Sequence, residues 1–154
     1  MRLYLVQHAE AKSAEVDPSR GLMPKGIQDI TKVAEFLSKA HFVVNEIFHS
    51  GKTRARETSA ILADHIIVKH GVFDTDGLSP NDDPYIWADR LPNLSEDTML
   101  VGHLPNLAKL ATRLLCDDLK NPVVTFRNAG IVCLARSGEK VWTLEWMVIP
   151  DIIR

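Results

Sequence analysis

Three short stretches hold the residues best suited to chemistry. Gln7-His8-Ala9-Glu10 follows a short apolar run at residues 3–6. Ser50-Gly51-Lys52-Thr53-Arg54-Ala55-Arg56-Glu57-Thr58 follows a second run at 43–49. Gly102-His103-Leu104-Pro105-Asn106 follows a third at 98–101. Each run has the composition of a buried strand, and helical patterns come after all three. In an open parallel sheet, ligands bind beyond the carboxyl ends of the strands. Three strand ends therefore deliver His8, Arg54 or Arg56, and His103 to one rim. Two histidines and an arginine near helix N-termini make a site for an anion, most naturally a phosphoryl group.

The elements that must position these residues alternate along the chain. Residues 11–21 are small and polar, with Ser13, Asp17, Pro18 and Gly21, and are predicted as a loop. Pro24 then opens a helix in which Ile27, Ile30, Val33, Ala34, Leu37 and Ala40 recur at helical spacing. A second helix is expected over 53–65, a third strand over 66–73 and a short helix over 84–91. Pro105 opens a helix through Cys116 with Leu107, Leu110, Ala111, Leu114 and Leu115 as its buried stripe. Two final strands, 130–135 and 141–147, are joined by Arg136-Ser137-Gly138-Glu139, a hairpin signal. Strand–helix alternation implies an α/β fold with a mainly parallel central sheet, the closing hairpin adding antiparallel strands at one edge. With no repeat or linker, residues 1–154 are expected to form a single domain.

Composition sets the outer limits. The chain has 154 residues, 45% hydrophobic and 25% charged. That is enough apolar material for one packed core. The formal net charge is -2. No global positive field attracts nucleic acid or anionic lipid, although a local basic pocket remains open. There is no apolar run long enough for a membrane span, and the reading is a cytoplasmic protein. Cys116 and Cys133 are expected as free core thiols. His41, His49, His65 and His70 lack metal-ligand spacing, so no metal and no other cofactor is implied. Trp142 and Trp146 are expected on one face of the last strand by its period of two.

Taken together, the three stretches resemble the histidine phosphatase superfamily, which also contains the phosphoglycerate mutases. That family places a nucleophilic histidine in an Arg-His-Gly motif after the first strand, where Gln7-His8-Ala9 stands here. Its Ser-x-x-x-Arg-Ala-x-x-Thr stretch is matched in full from Ser50 to Thr58. Its second histidine matches His103 in Leu100-Val101-Gly102-His103-Leu104-Pro105. The Gly-His-Leu-Pro-Asn wording and the Leu78-Ser79-Pro80-Asn81-Asp82-Asp83-Pro84 loop are similar to the short bacterial phosphohistidine phosphatases of the SixA type.

The resemblance spans about residues 1–147. It implies a phosphoglycerate mutase-like three-layer sandwich, with helices on both faces of the sheet. It implies His8 as nucleophile, with Arg54 and His103 on the phosphoryl oxygens. Gln7, Ser13, Arg56 and Asn106 are candidates to line the pocket. The implied substrate is a phosphorylated protein, through phosphohistidine, or a small phosphoester. One departure stands out. Gln7 replaces the family's first arginine; it can donate a hydrogen bond but carries no charge. Two alternatives follow. The pocket binds a phosphate or phosphoprotein without efficient turnover, or it is a phosphomonoesterase with Asp82 or Asp83 as its acid.

Overall fold

The computed structural model describes residues 1–116 and 120–154. Its strands are β1 (Arg2–Gln7), β2 (Val43–His49), β3 (Ile67–Asp74), β4 (Thr98–Gly102), β5 (Ile131–Ser137) and β6 (Val141–Val148). Its α-helices are α1 (Pro24–Lys39), α2 (Thr53–Ala63), α3 (Tyr85–Arg90) and α4 (Asn106–Cys116). The strands form one sheet in the order β3-β2-β4-β1-β5-β6. β1, β2, β3 and β4 run parallel, and β5 and β6 add the antiparallel edge.

Period-two alternation explains the three layers. Along β1, Tyr4 and Val6 face a cluster that holds Ile30 and Val33 of α1 and Ala55 and Leu62 of α2. Leu3 and Leu5 face the opposite cluster, with Trp87 of α3 and Leu107 and Leu110 of α4. All of β4 is buried, with Met99 and Val101 on one face and Leu100 on the other. A strand covered on both sides must be largely apolar, and Met99-Leu100-Val101 in β4 meets that demand. Each fully buried Leu or Ile contributes ~1.5–3 kcal/mol relative to exposure.

Helix α1 follows from its own spacing. Pro24 sits in the first turn, and Gly26, Ile30, Val33, Ala34 and Leu37 make the buried stripe. Gly26 is there for contact. A Cβ on it would lie 2.1 Å from the carbonyl oxygen of Glu10. The start of α1 therefore rests directly on the backbone that follows His8.

Three expectations are corrected. Trp142 and Trp146 lie on opposite faces, Trp142 in the α3–α4 cluster and Trp146 against Tyr4 and Phe42. The β5–β6 register shifts between Cys133 and Leu134, so Cys133 pairs with Trp146 and Leu134 with Leu144. A bulge of one residue reverses every later side chain. Cys133 is buried, but Cys116 is exposed because it ends α4 beyond the apolar stripe. Helix α2 ends at Ala63, two residues before the expected end. No helix among the described residues is long and apolar enough to cross a membrane.

Candidate active site

Sheet register brings the sequence-predicted residues together. Gln7 is level with Gly102 across β1 and β4, and His49 with Val101 across β2 and β4. The residues one step further on, His8, His103 and Ser50, therefore emerge side by side. The rings of His8 and His103 lie 4.8 Å apart between centroids.

His8 is held from several directions. Its backbone N–H donates to the carbonyl of Gly102 at 3.0 Å. Its own carbonyl accepts from Asn128 Nδ2 at 2.9 Å. The next residue, Ala9, donates its N–H to Thr58 Oγ1 of α2 at 3.0 Å, and that hydroxyl donates to the Arg54 carbonyl at 2.7 Å. The ring contact decides the chemistry. His8 Nδ1 lies 2.7 Å from the carbonyl oxygen of Ala9. A carbonyl only accepts, so Nδ1 carries the proton and Nε2 keeps its lone pair. Burial drives the His8 pKa down to about 4, opposed by the hydrogen bond to Ala9 and aided by the charges of Arg54 and Arg20. His8 is thus a neutral imidazole at neutral pH, as a nitrogen nucleophile must be.

His103 is arranged as a donor. Its Nε2 lies 2.6 Å from Ser50 Oγ. That hydroxyl accepts from the backbone N–H of Lys52 at 3.4 Å and has a proton of its own to give to His103 Nε2. In that tautomer the ring proton sits on Nδ1, an atom buried without a partner among the described residues. The pKa of His103 falls to about 3, from burial first and then from His8, Arg54, Lys52 and Arg20. A buried N–H with no acceptor is costly, and such a group is suited to donate to an oxyanion.

Arg54 is buried in the first turn of α2, and its Nε also lacks a partner. Burial, and then the charge of Arg20, lower its pKa. A guanidinium at a helix N-terminus opposes the helix dipole and gains from an anion beside it. Gln7 ends β1 at the same rim, with Oε1 buried and without a partner among the described residues. A half-turn of its amide offers N–H in place of oxygen, a donor without charge.

The other predicted residues lie elsewhere or act differently. Asn106 is buried, and its Nδ2 donates to the carbonyls of Gly77 and Asp82 at 3.3 and 2.9 Å. It ties the loop after β3 to the base of α4. Ser13 is exposed and accepts from Val16 N–H at 3.4 Å within its own turn. Arg56 is exposed and its charge reaches His49, not the two site histidines. Asp82 accepts from Ser79 N–H and Asp83 from Tyr85 N–H, both at 2.9 Å. Each carboxylate is engaged in capping its turn.

Sequence reasoning missed Ser50 as the partner of His103, Asn128 on the His8 carbonyl, and Arg20. Arg20 sits in the segment between β1 and α1, and its charge reaches His8, Arg54 and His103. The one local signal was Asp17-Pro18-Ser19-Arg20-Gly21, a turn sequence that places a cation before a glycine.

Comparison with solved structures places this architecture. The chain has the histidine phosphatase fold. It matches the protein histidine phosphatase SixA complexed with tungstate at a TM-score of 0.88 and 19% identity, over 100% of both chains. A chain from Agrobacterium tumefaciens, solved under the name phosphohistidine phosphatase SixA, matches at 0.78 and 22% identity over 97% of each. The alpha-ribazole phosphatase from Shigella flexneri matches at 0.73 and 16% identity, over 97% of this chain and 96% of that one. No protein-family model matches the sequence, and no curated protein sequence does.

Proposed function

We propose that residues 1–154 form one histidine phosphatase-like domain that removes phosphoryl groups through a phosphohistidine intermediate on His8. The carrying observation is the 2.7 Å hydrogen bond from His8 Nδ1 to the Ala9 carbonyl. It frees the Nε2 lone pair at a rim where His103 Nδ1 and Arg54 Nε are buried without partners among the described residues. The likeness in fold to SixA complexed with tungstate, a tetrahedral oxyanion, supports the same reading.

The steps follow from the atoms. His8 Nε2 attacks phosphorus, and the N–P bond forms as the bond to the leaving group breaks. Arg54 and His103 donate to the phosphoryl oxygens, where charge concentrates. His8 then carries the phosphoryl group on Nε2 and a proton on Nδ1, the positive ring still held by the Ala9 carbonyl. Water attacks phosphorus next. The N–P bond electrons return to Nε2, inorganic phosphate leaves, and the neutral tautomer is restored.

The substrate we favour is a phosphorylated histidine on a protein. A phosphohistidine with a proton on its second ring nitrogen leaves as neutral imidazole and needs no acid from the enzyme. A phosphoester needs one. Asp82 and Asp83 are engaged in their own turns, and this weighs against the ester reading. A second reading, binding without efficient turnover, is favoured by uncharged Gln7 at the strand end. A site of this kind works in the cytoplasm without a metal or other cofactor.

The test is turnover of a phosphohistidine-bearing protein and of p-nitrophenyl phosphate, with His8→Ala alongside. Wild-type turnover that is lost in His8→Ala, with an acid-labile phosphoryl group trapped on the wild type only, is the expected result. Tight oxyanion binding without turnover would establish the second reading. Turnover that survives in His8→Ala would refute the nucleophile.

A further inference from the structure

The segment between β1 and α1 is a built structure. It returns to its start through the bridge between Ala11 and Leu22. Lys12 N–H donates to the Gly21 carbonyl and Met23 N–H to the Glu10 carbonyl, both at 2.9 Å. The Asp17 carboxylate accepts from the N–H groups of Ser19 and Gly21, both at 3.0 Å. Glu57 of α2 accepts from Leu22 N–H at 2.7 Å.

At the turn of this segment stands Arg20. Its φ is 52°, in the left-handed region where a residue with a Cβ is strained. Glycine or asparagine would ease that strain, and the chain holds an arginine there instead. Arg20 Nε donates to the Lys12 carbonyl at 3.1 Å, which fixes the plane of the guanidinium. Among the described residues no carboxylate pairs with it. Its charge reaches His8, Arg54 and His103 at once. The Arg20 charge lowers the Arg54 pKa, and two like charges at one rim are reconciled by an anion between them. The end of β1 contributes only Gln7, which is neutral.

We propose that Arg20 is a phosphoryl-binding residue: it supplies from the β1–α1 segment the second guanidinium that the strand end, with Gln7, does not. The proposal rests on the phosphatase reading of the pocket. It assigns the β1–α1 segment to substrate recognition. A planar guanidinium suits this task, because it can meet two phosphoryl oxygens together.

The test is tungstate binding by titration calorimetry, read with p-nitrophenyl phosphate kinetics and thermal melting. The proteins are wild type, Arg20→Asn, Gln7→Arg and the double variant. Asparagine tolerates the left-handed backbone, so the fold is kept. Arg20→Asn is expected to weaken tungstate binding about 10- to 100-fold, the loss of a charge-assisted hydrogen bond. It should raise KM more than it lowers the melting temperature. Gln7→Arg in the Arg20→Asn background is expected to recover most of the lost affinity, because it returns a guanidinium to the site. Wild-type affinity in Arg20→Asn would overturn the proposal. So would a loss that Gln7→Arg leaves unrepaired, since Arg20 would then only shape its loop. Arg54→Ala separates the proposal from the reading beneath it. If wild type and Arg54→Ala bind tungstate equally, or neither binds it, the pocket itself is misassigned and Arg20 falls with it.

Discussion

The protonation state of His8 admits a sharp prediction. With a pKa of about 4, about 90% of His8 is neutral at pH 5. With the ordinary histidine value near 6.5, only about 3% would be neutral, a difference of about 30-fold in competent nucleophile. The direct assay is titration of the histidines in the free protein by long-range proton–nitrogen NMR correlation, which reads both the midpoint and the tautomer. His8 and His103 should both show the Nδ1–H form, with midpoints well below the exposed histidines. The acid limb of kcat/KM, corrected for substrate ionisation, should follow the His8 midpoint. A His8 midpoint near 6.5, or an Nε2–H tautomer, would refute the reasoning, because burial and the Ala9 carbonyl would then not control the ring. The same lowering has a consequence for folding. Both histidines bind protons more readily in the unfolded chain, so stability is full above about pH 6.5 and falls as pH drops toward 4 and then 3.

Other expectations can be checked more simply. Ser50→Ala removes the hydroxyl that fixes the His103 tautomer, so kcat should fall about tenfold while the melting temperature changes little, measured by steady-state kinetics and calorimetry. Gly26→Ala drives a methyl group into the Glu10 backbone and should cost at least ~3 kcal/mol in chemical denaturation, with activity lost in step. Asp82→Asn and Asp83→Asn should keep phosphohistidine turnover within about twofold; a loss of 100-fold or more in either would establish an enzyme-borne acid.

Much of this arrangement was legible in the sequence because it is local. The runs at β1, β2 and β4 are apolar and short, and each is followed at once by its functional residue. Their order along the chain fixes which strand ends share a rim. The features that escaped depend on chain distance or on a single inserted residue. Ser50 meets His103 across 53 positions, and Asn128 meets His8 across 120. No local pattern encodes such pairings. Trp146 changed face because the bulge in β6 interrupts a period that the sequence carries without visible break. Arg20 sat in a segment that composition marks only as loop, and its φ of 52° is a tertiary property.

The fastening of His8 also bears on how the protein acquires its activity. The contacts that hold the backbone of His8 and Ala9 come from Thr58, Gly102 and Asn128, spread over most of the chain. Such distant pairings close late in folding, since each carries a large loop-closure entropy. Competence is therefore a property of the finished fold and of no fragment of it. A chain lacking its closing hairpin would lose the β1–β5 ladder beside His8. On the phosphatase reading, turnover would then report complete folding and be silent in partly assembled states.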